Sequence, residues 1–261
     1  MSLEKIDKFS GKLCSMSVAG LDPSGGAGIL ADLKSFHAHG IYATCVTTTL
    51  TSQNPFNVSM VQKVDVSYIE DAIDRIMDVY PVEYMKTGVL YSEDIVKAVA
   101  GKIREYNLKA VVDPVMISES GCTLAGDCFA SCLNKYLLKD AYLTTPNVYE
   151  AEEIIGHKID TQDDMIDAAL KLNKKCNCII TGGHMHGNDV VCHDGEISLI
   201  EGKIIKSDNT HGTGCNYSAA LTSRLIQGYD IVDACKLSNE YIQDAIRNGF
   251  YNTPYQFSNK F

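Results

Sequence analysis

The segment Asp208-Asn-Thr-His-Gly-Thr-Gly-Cys-Asn-Tyr-Ser-Ala-Ala220 joins a polar, glycine-bearing loop to a helix and places a thiol, Cys215, at the junction. Tyr217, Leu221 and Leu225 then recur four residues apart, one apolar helical stripe, and Gly228 stands where a left-handed stop belongs. Main-chain N–H groups at Gly212, Thr213, Gly214 and Cys215 can turn toward an anion, and the helix N-terminus adds about half a positive charge. A thiol there is expected to be drawn toward thiolate, from a reference pKa of about 8.5. An anion hole beside an acid–base group suits phosphoryl transfer. A plain strand-to-helix connection would use the same residue types, so the rest of the chain has to decide.

Other chemistry-bearing residues collect just after apolar runs that read as strands. They are Gly20 with Asp22-Pro23 and Ser24-Gly-Gly-Ala-Gly28; Ser52-Gln53-Asn54; Lys86-Thr87-Gly88; Asp113-Pro114; Pro146-Asn147 with Glu150; and Thr181-Gly182-Gly183. In open α/β sheets ligands bind beyond the carboxyl ends of the strands. Asp113 and Glu150 are the carboxylates best suited to Mg²⁺, which takes one or two carboxylates together with phosphates and water. A turn-capping Asp and a first-turn Glu are their structural alternatives. Asp32 lies one turn into the first helix, as a ligand for a substrate hydroxyl or ring nitrogen or as a solvated helix position. His37, His39, His157, His184, His186 and His193 form no metal-ligand spacing, and His211 shapes its loop. Gly26-x-Gly28-x-x-Ala31 fits a relaxed dinucleotide fingerprint, but the second strand ends in Thr51-Ser-Gln53 without the acidic residue that would hold a ribose. The Walker pattern is absent.

Composition narrows the classes. The 261 residues are 45% hydrophobic, enough for one large core. Thirty-three acidic residues against 23 basic ones give a net charge of -10, which argues against nucleic acid or an anionic membrane as partner. Ten cysteines scattered through apolar runs, with no Cys-x-x-Cys pair and no secretory leader, read as reduced thiols of a cytoplasmic protein. Cys128 and Cys132 lack a second ligand pair for zinc.

The elements that must carry these residues alternate between strand and helix. Strands are expected at Ser15–Ala19, Ala43–Thr51, Tyr84–Thr87, Ala110–Val112, Tyr142–Thr144 and Cys178–Thr181. Helices are expected at Gly28–His39, Tyr68–Val79, Ser92–Tyr106 with Ser92 as N-cap, Phe129–Leu137, Val148–Ile155, Met165–Asn173 and after Cys215. Val190–His193 and Glu196–Leu199 flank Asp194-Gly195, a type I′ hairpin turn. The alternation favours a doubly wound α/β fold, a mostly parallel sheet with helices on both faces. Residues 1–12 read as a flexible tail and residues 13–261 as a single domain.

Taken in order, Ala19–Lys34, Thr51–Asn54, Met85–Gly88, Val112–Met116, Thr145–Asn147 with Glu150, and Asn209–Cys215 resemble the hydroxymethylpyrimidine/phosphomethylpyrimidine kinases of thiamine synthesis, in the ribokinase-like superfamily. The resemblance runs from about Ser15 to about Ile246. It implies a ribokinase-like fold, ATP and Mg²⁺ as cofactors, a homodimer, and Cys215 as the catalytic residue. It implies that Gln53, Asp32 and Gly20 contact the aminopyrimidine and that Asn147 and Glu150 organise Mg²⁺ and phosphates; Asp113 joins Glu150 as metal candidate, and Thr181, Gly183 and Thr210 join Asn147 as candidates for the ATP phosphates. The chain departs from the pattern at Thr181, where many members have lysine, and at Asn239, where relatives often carry lysine near the nucleotide. Pyridoxal kinase of the same branch is the nearest competing function, and a non-catalytic vitamin-binding protein is a competitor from another class.

Overall fold

A computed structural model describes residues 11–116, 129–183, 185 and 187–257. Most of the tail, together with Cys128, His184 and His186, lies outside the described residues.

The chain runs β1 (Cys14–Leu21), α1 (Gly28–Ala38), β2 (Tyr42–Asn54), β3 (Asn57–Lys63), α2 (Val66–Met77), β4 (Tyr84–Thr87), α3 (Glu93–Tyr106) and β5 (Lys109–Val112). Then come α4 (Phe129–Cys132), which passes through a π turn and a 3-10 turn to Asp140, β6 (Leu143–Thr144), α5 (Val148–Ile155), α6 (Gln162–Asn173) and β7 (Asn177–Ile180). The hairpin β8 (Asp189–His193) and β9 (Glu196–Ile200) precedes α7 (Thr213–Ile226) and α8 (Ile231–Arg247).

These strands form one 9-stranded sheet in the order β3-β2-β1-β4-β5-β6-β7-β8-β9. Strands β2, β1, β4, β5, β6 and β7 pair in parallel in that order, and antiparallel β3, β8 and β9 complete the edges. Between β1 and β4 the winding reverses, the crevice where doubly wound sheets bind ligands.

Period-two alternation sends successive strand residues to opposite cores. Met85, Ala110, Val112, Cys178 and Ile180 face the core built with α2 to α6. Their neighbours Tyr84, Val111 and Ile179 face Tyr217, Leu221 and Leu225 of α7 and Ile231, Ile242 and Ala245 of α8. Phe36 of α1 meets Ala219 of α7. Both faces of the central strands are therefore covered, as a parallel sheet requires.

Turn chemistry follows the sequence closely. Asp194 and Gly195 take φ of 50° and 85°, the left-handed pair of a type I′ turn, and Gly228 takes φ of 92° after α7. Three expectations need correction. Strand β2 runs on to Asn54 and pairs with β3, whose mostly exposed residues show no alternation to announce it. Helix α8 is a full amphipathic helix beyond the elements expected from the sequence. Ser92 occupies the N-cap position in extended conformation, but its hydroxyl donates to Asp94 rather than capping the backbone.

Candidate active site

Two glycine-bearing loops meet at the carboxyl end of β1. In the first, Asp22 organises the backbone: its carboxylate accepts from Ser24 N at 2.8 Å and Ala27 N at 2.9 Å. The imidazole Nε2 of His211, from the second loop, lies 2.8 Å from the same carboxylate. Burial pushes the Asp22 carboxyl up, but the hydrogen bonds from His211, Ser24 and Ala27 outweigh it and hold the group below its ordinary range. The loops touch main chain to main chain. Gly212 has φ of 84°, and a Cβ there would lie 1.9 Å from Gly26 O. Gly28, at φ of 59°, would place a Cβ 2.2 Å from Gly20 O. No side chain fits at either position.

The first turn of α7 then opens outward. Gly212 is its N-cap, and Thr213 N donates to Thr210 O at 2.9 Å, so the Thr213 amide is used by the turn. That corrects the expectation of a run of free amides from Gly212 to Cys215. The Gly214 and Cys215 amides have no partner among the described residues, and a Cβ on Gly214 would meet nothing within 4 Å. Beside them the Gly28 amide lies near enough to the Cys215 sulfur to favour its ionised form, so the N-termini of α1 and α7 converge on one thiol.

Behind this thiol is a buried ion cluster. Lys86, at the end of β4, is 0% exposed. Its Nζ lies 2.7 Å from Asp32 Oδ1 and 3.5 Å from Asp113 Oδ2. Asp32 is also 0% exposed, and its second oxygen accepts from Ser17 Oγ at 2.6 Å. Asp32 is therefore neither a solvated helix position nor a carboxylate with surface to offer a ligand in this arrangement. Burial raises its pKa, against the pull of Lys86 and Ser17. Burial works against the Lys86 ammonium, but Asp32, Cys215 and Asp113 together raise its pKa above the usual range. The same surroundings overturn the expected thiolate. Burial pushes the Cys215 thiol up to about 12; Lys86 pulls it back, while Asp113 and Asp32 push it further. Desolvation and two carboxylates outweigh Lys86 and the helix N-terminus, and so favour the protonated thiol.

Asp113 accepts from Ser218 Oγ of α7 at 2.9 Å. Across from it, Glu150 and Asn147 form a reciprocal capping box at the start of α5: Glu150 N donates to Asn147 Oδ1 at 2.9 Å and Asn147 N to Glu150 Oε2 at 3.0 Å. Burial and the charge of Asp113 push the Glu150 carboxyl up to about 8, although the Asn147 and Met116 amides favour its ionised form. Two facing carboxylates of this kind suit a hard divalent cation. Among the described residues no three His, Cys, Asp or Glu side chains gather as a cage, so such an ion would take its remaining ligands from phosphates and water.

Thr181 continues β7 as a bridge to Asn147, and a Cβ on Gly183 would meet open space. Gly182 N donates to the buried Asp189 at 3.0 Å. Asn239 turns inward to the same carboxylate, with Nδ2 2.9 Å from Asp189 Oδ2, and is 8% exposed. The position expected near the nucleotide is thus committed to an internal network. Gln53 is half-buried on the β2–β3 ribbon opposite Val58, and its amide makes no hydrogen bond among the described residues. Gly20 lies against Thr49, whose Oγ1 would be 2.6 Å from an added Cβ. Sequence reasoning assigned no role to Lys86, and it left Asp22 without its partner. The signal for the first was a lysine inside a strand otherwise wholly apolar or small.

The phosphomethylpyrimidine kinase family model matches residues 22–257. The bifunctional thiamine biosynthesis protein ThiED of Geobacter sulfurreducens is 38% identical over 89% of this chain, which spans about half, 49%, of that longer protein. The hydroxymethylpyrimidine/phosphomethylpyrimidine kinase of Bacillus subtilis is 34% identical, over 90% of this chain and 89% of its own. An ADP complex of Bacillus subtilis pyridoxal kinase superposes with a TM-score of 0.83 at 34% identity, over 92% of this chain and 93% of that one. The sheet order, the crevice at β1 and β4 and these likenesses agree: the chain belongs to the phosphomethylpyrimidine kinase family and has its ribokinase-like fold.

Proposed function

We propose that this chain transfers the γ-phosphoryl group of ATP to the hydroxymethyl group of 4-amino-5-hydroxymethyl-2-methylpyrimidine, and then phosphorylates the resulting monophosphate. The observation that carries the reading is the pair of amides at Gly214 and Cys215, without partners among the described residues, beside a thiol backed by Lys86.

In phosphoryl transfer most of the catalysis is positioning and charge stabilisation. The Gly214 and Cys215 amides would hold oxygens of the migrating group, with the α7 dipole behind them. Cys215, after giving up its own proton to water, would receive the hydroxyl proton late, as the new O–P bond forms and the bond from the γ-phosphorus to ADP breaks. A thiol held near 12 is not yet a base; neutralising Asp113 removes one of the charges that keep it protonated. Asp113 and Glu150 would hold Mg²⁺, which supplies charge neutralisation and alignment of the phosphates. Asn147, Thr181, Gly183 and Thr210 lie at neighbouring strand and loop ends as candidates for the nucleotide phosphates. Gln53 offers one donor and one acceptor, which match a ring nitrogen and its exocyclic amine. The exposed Leu50, Phe56 and Met60 on the β2–β3 ribbon would suit the apolar face of a homodimer.

Pyridoxal is the second alcohol to test, because a pyridoxal kinase shares this fold at 34% identity. ATP consumption is measured with each alcohol, and mass analysis counts the phosphates added. The proposal expects the aminopyrimidine to gain two phosphates and Gln53→Ala to weaken it more than pyridoxal. Turnover of pyridoxal alone would overturn it.

A further inference from the structure

The segment after α8 bends back over both loops that enclose the Cys215 thiol. Phe250 and Thr253 exchange main-chain hydrogen bonds at 3.1 Å, closing a tight turn with Tyr251 and Asn252 at its centre. These two take φ of 54° and 61°. A left-handed conformation at two successive non-glycine residues, one of them a tyrosine, costs on the order of 1–2 kcal/mol per residue. The neighbouring structure must hold such a turn in place.

Its contacts converge on the anion hole. Asn252 O accepts the main-chain N–H of His211 at 2.9 Å, and Asn252 Nδ2 donates to Asp208 O at 3.3 Å. Asn209 Nδ2 donates to Gly249 O at 2.9 Å. On the opposite loop Thr253 packs so closely that a Cβ on Gly26 would lie 2.4 Å from its Cγ2. Further along, Gln256 Nε2 donates to Asn216 Oδ1 at 2.7 Å. Asn216 is fully buried in the first turn of α7. Its Oδ1 also accepts from Ser35 Oγ of α1 at 2.7 Å, and its Nδ2 donates to Gly212 O at 2.9 Å. One side chain beside the thiol therefore joins α1, the N-cap of α7 and the C-terminal segment.

We propose that Gly249–Phe257 is a positioning strap for the anion hole, with Asn252 and Gln256 as its positioning residues. Asn252 fixes the height of the His211–Gly212 corner, and Gln256 fixes the amide plane of Asn216, which in turn fixes Gly212. The strap touches no reacting atom; it sets where the Gly214 and Cys215 amides point. This inference rests on the kinase reading of that site.

The test uses the full chain with Asn252→Val, Gln256→Ala and Tyr251→Gly. A β-branched residue tolerates the left-handed region poorly, so Asn252→Val moves the carbonyl that holds His211, whereas Tyr251→Gly keeps the turn and relieves it. We expect Asn252→Val to lower kcat by about tenfold or more and Gln256→Ala by about fivefold, since small displacements of positioning groups have effects of this order. KM for the alcohol stays within about twofold, and Tyr251→Gly keeps kcat within about twofold, because the substrate pocket itself is untouched. Calorimetry with a non-hydrolysable ATP analogue should show weakened binding for Asn252→Val and Gln256→Ala, whichever alcohol is the substrate. Unchanged kcat and nucleotide affinity in both variants would overturn the strap. So would losses that vanish when each variant is assayed well below its own unfolding midpoint. Failure of the kinase reading looks different: the unaltered chain would then turn over neither alcohol, while the calorimetric comparison would still read the strap.

Discussion

Replacing Lys86 by methionine should cost the fold far more than a surface lysine would. The ammonium has 0% exposure, 2.7 Å from Asp32 and 3.5 Å from Asp113. At an effective dielectric of about 20, those separations correspond to roughly 6 and 5 kcal/mol of attraction. Most of this offsets the desolvation of the charges involved, so the net worth of the cluster is small. The asymmetry decides the outcome: removing one partner leaves Asp32 buried with only Ser17, a loss of about 3–5 kcal/mol. At about 2–4 °C per kcal/mol for a chain of this size, the thermal midpoint should fall by roughly 6–20 °C. Burial already raises the Asp32 pKa, and without Lys86 that group takes up a proton to escape its charge. A carboxyl with a raised folded pKa stabilises below its unfolded pKa and loses that contribution as pH rises through the folded one. The Lys86→Met deficit should therefore shrink as pH falls from 8 toward 5. Thermal and urea unfolding across that range measure it, with Lys86→Met/Asp32→Asn alongside. A deficit below about 1 kcal/mol would refute the reasoning. So would a double variant no more stable than Lys86→Met.

Three further outcomes follow from the same geometry. Cys215→Ala should lower turnover by about 10²–10⁴-fold while leaving alcohol binding in place, and steady-state kinetics with direct binding separate the two. Gly212→Ala should unfold at clearly lower temperature than Gly214→Ala, because the first Cβ meets Gly26 O at 1.9 Å and φ of 84° while the second meets nothing within 4 Å. Equal midpoints for the two would contradict the packing. Burial pushes the His39 pKa down to about 4, although its Nδ1 donates to Ser35 O at 2.7 Å. Its folded pKa lies below the unfolded one, so stability is lost as pH falls from about 6.5 to 4, by on the order of 3 kcal/mol at the lower end. His39→Asn should flatten that part of the urea-midpoint profile.

Where a residue's local neighbours determine its conformation, the sequence was easy to read. Asp194-Gly195, Gly228 and the stripe Tyr217, Leu221 and Leu225 each state their turn or helix within a few residues, and the structure has them there. Strand β3 was hidden because most of its side chains are exposed, so no alternation records its pairing with β2. Chemistry that depends on distant neighbours was harder still. The approach of His211 to Asp22 joins residues 189 positions apart, and the pairing of Lys86 with Asp32 spans 54. Burial among distant neighbours also reverses the state expected of Cys215. A helix N-terminus favours thiolate locally, but burial holds the proton on, helped by Asp113 and Asp32 from other elements.

The most direct measurement is the position of a terminal phosphorus at the start of α7. A crystal structure of the chain with a non-hydrolysable ATP analogue, Mg²⁺ and the aminopyrimidine should place the γ-phosphate oxygens within hydrogen-bond reach of the Gly214 and Cys215 amides. The alcohol oxygen should stand between that phosphorus and the Cys215 sulfur. A terminal phosphate seated elsewhere, with those amides facing solvent, would contradict the account at its root.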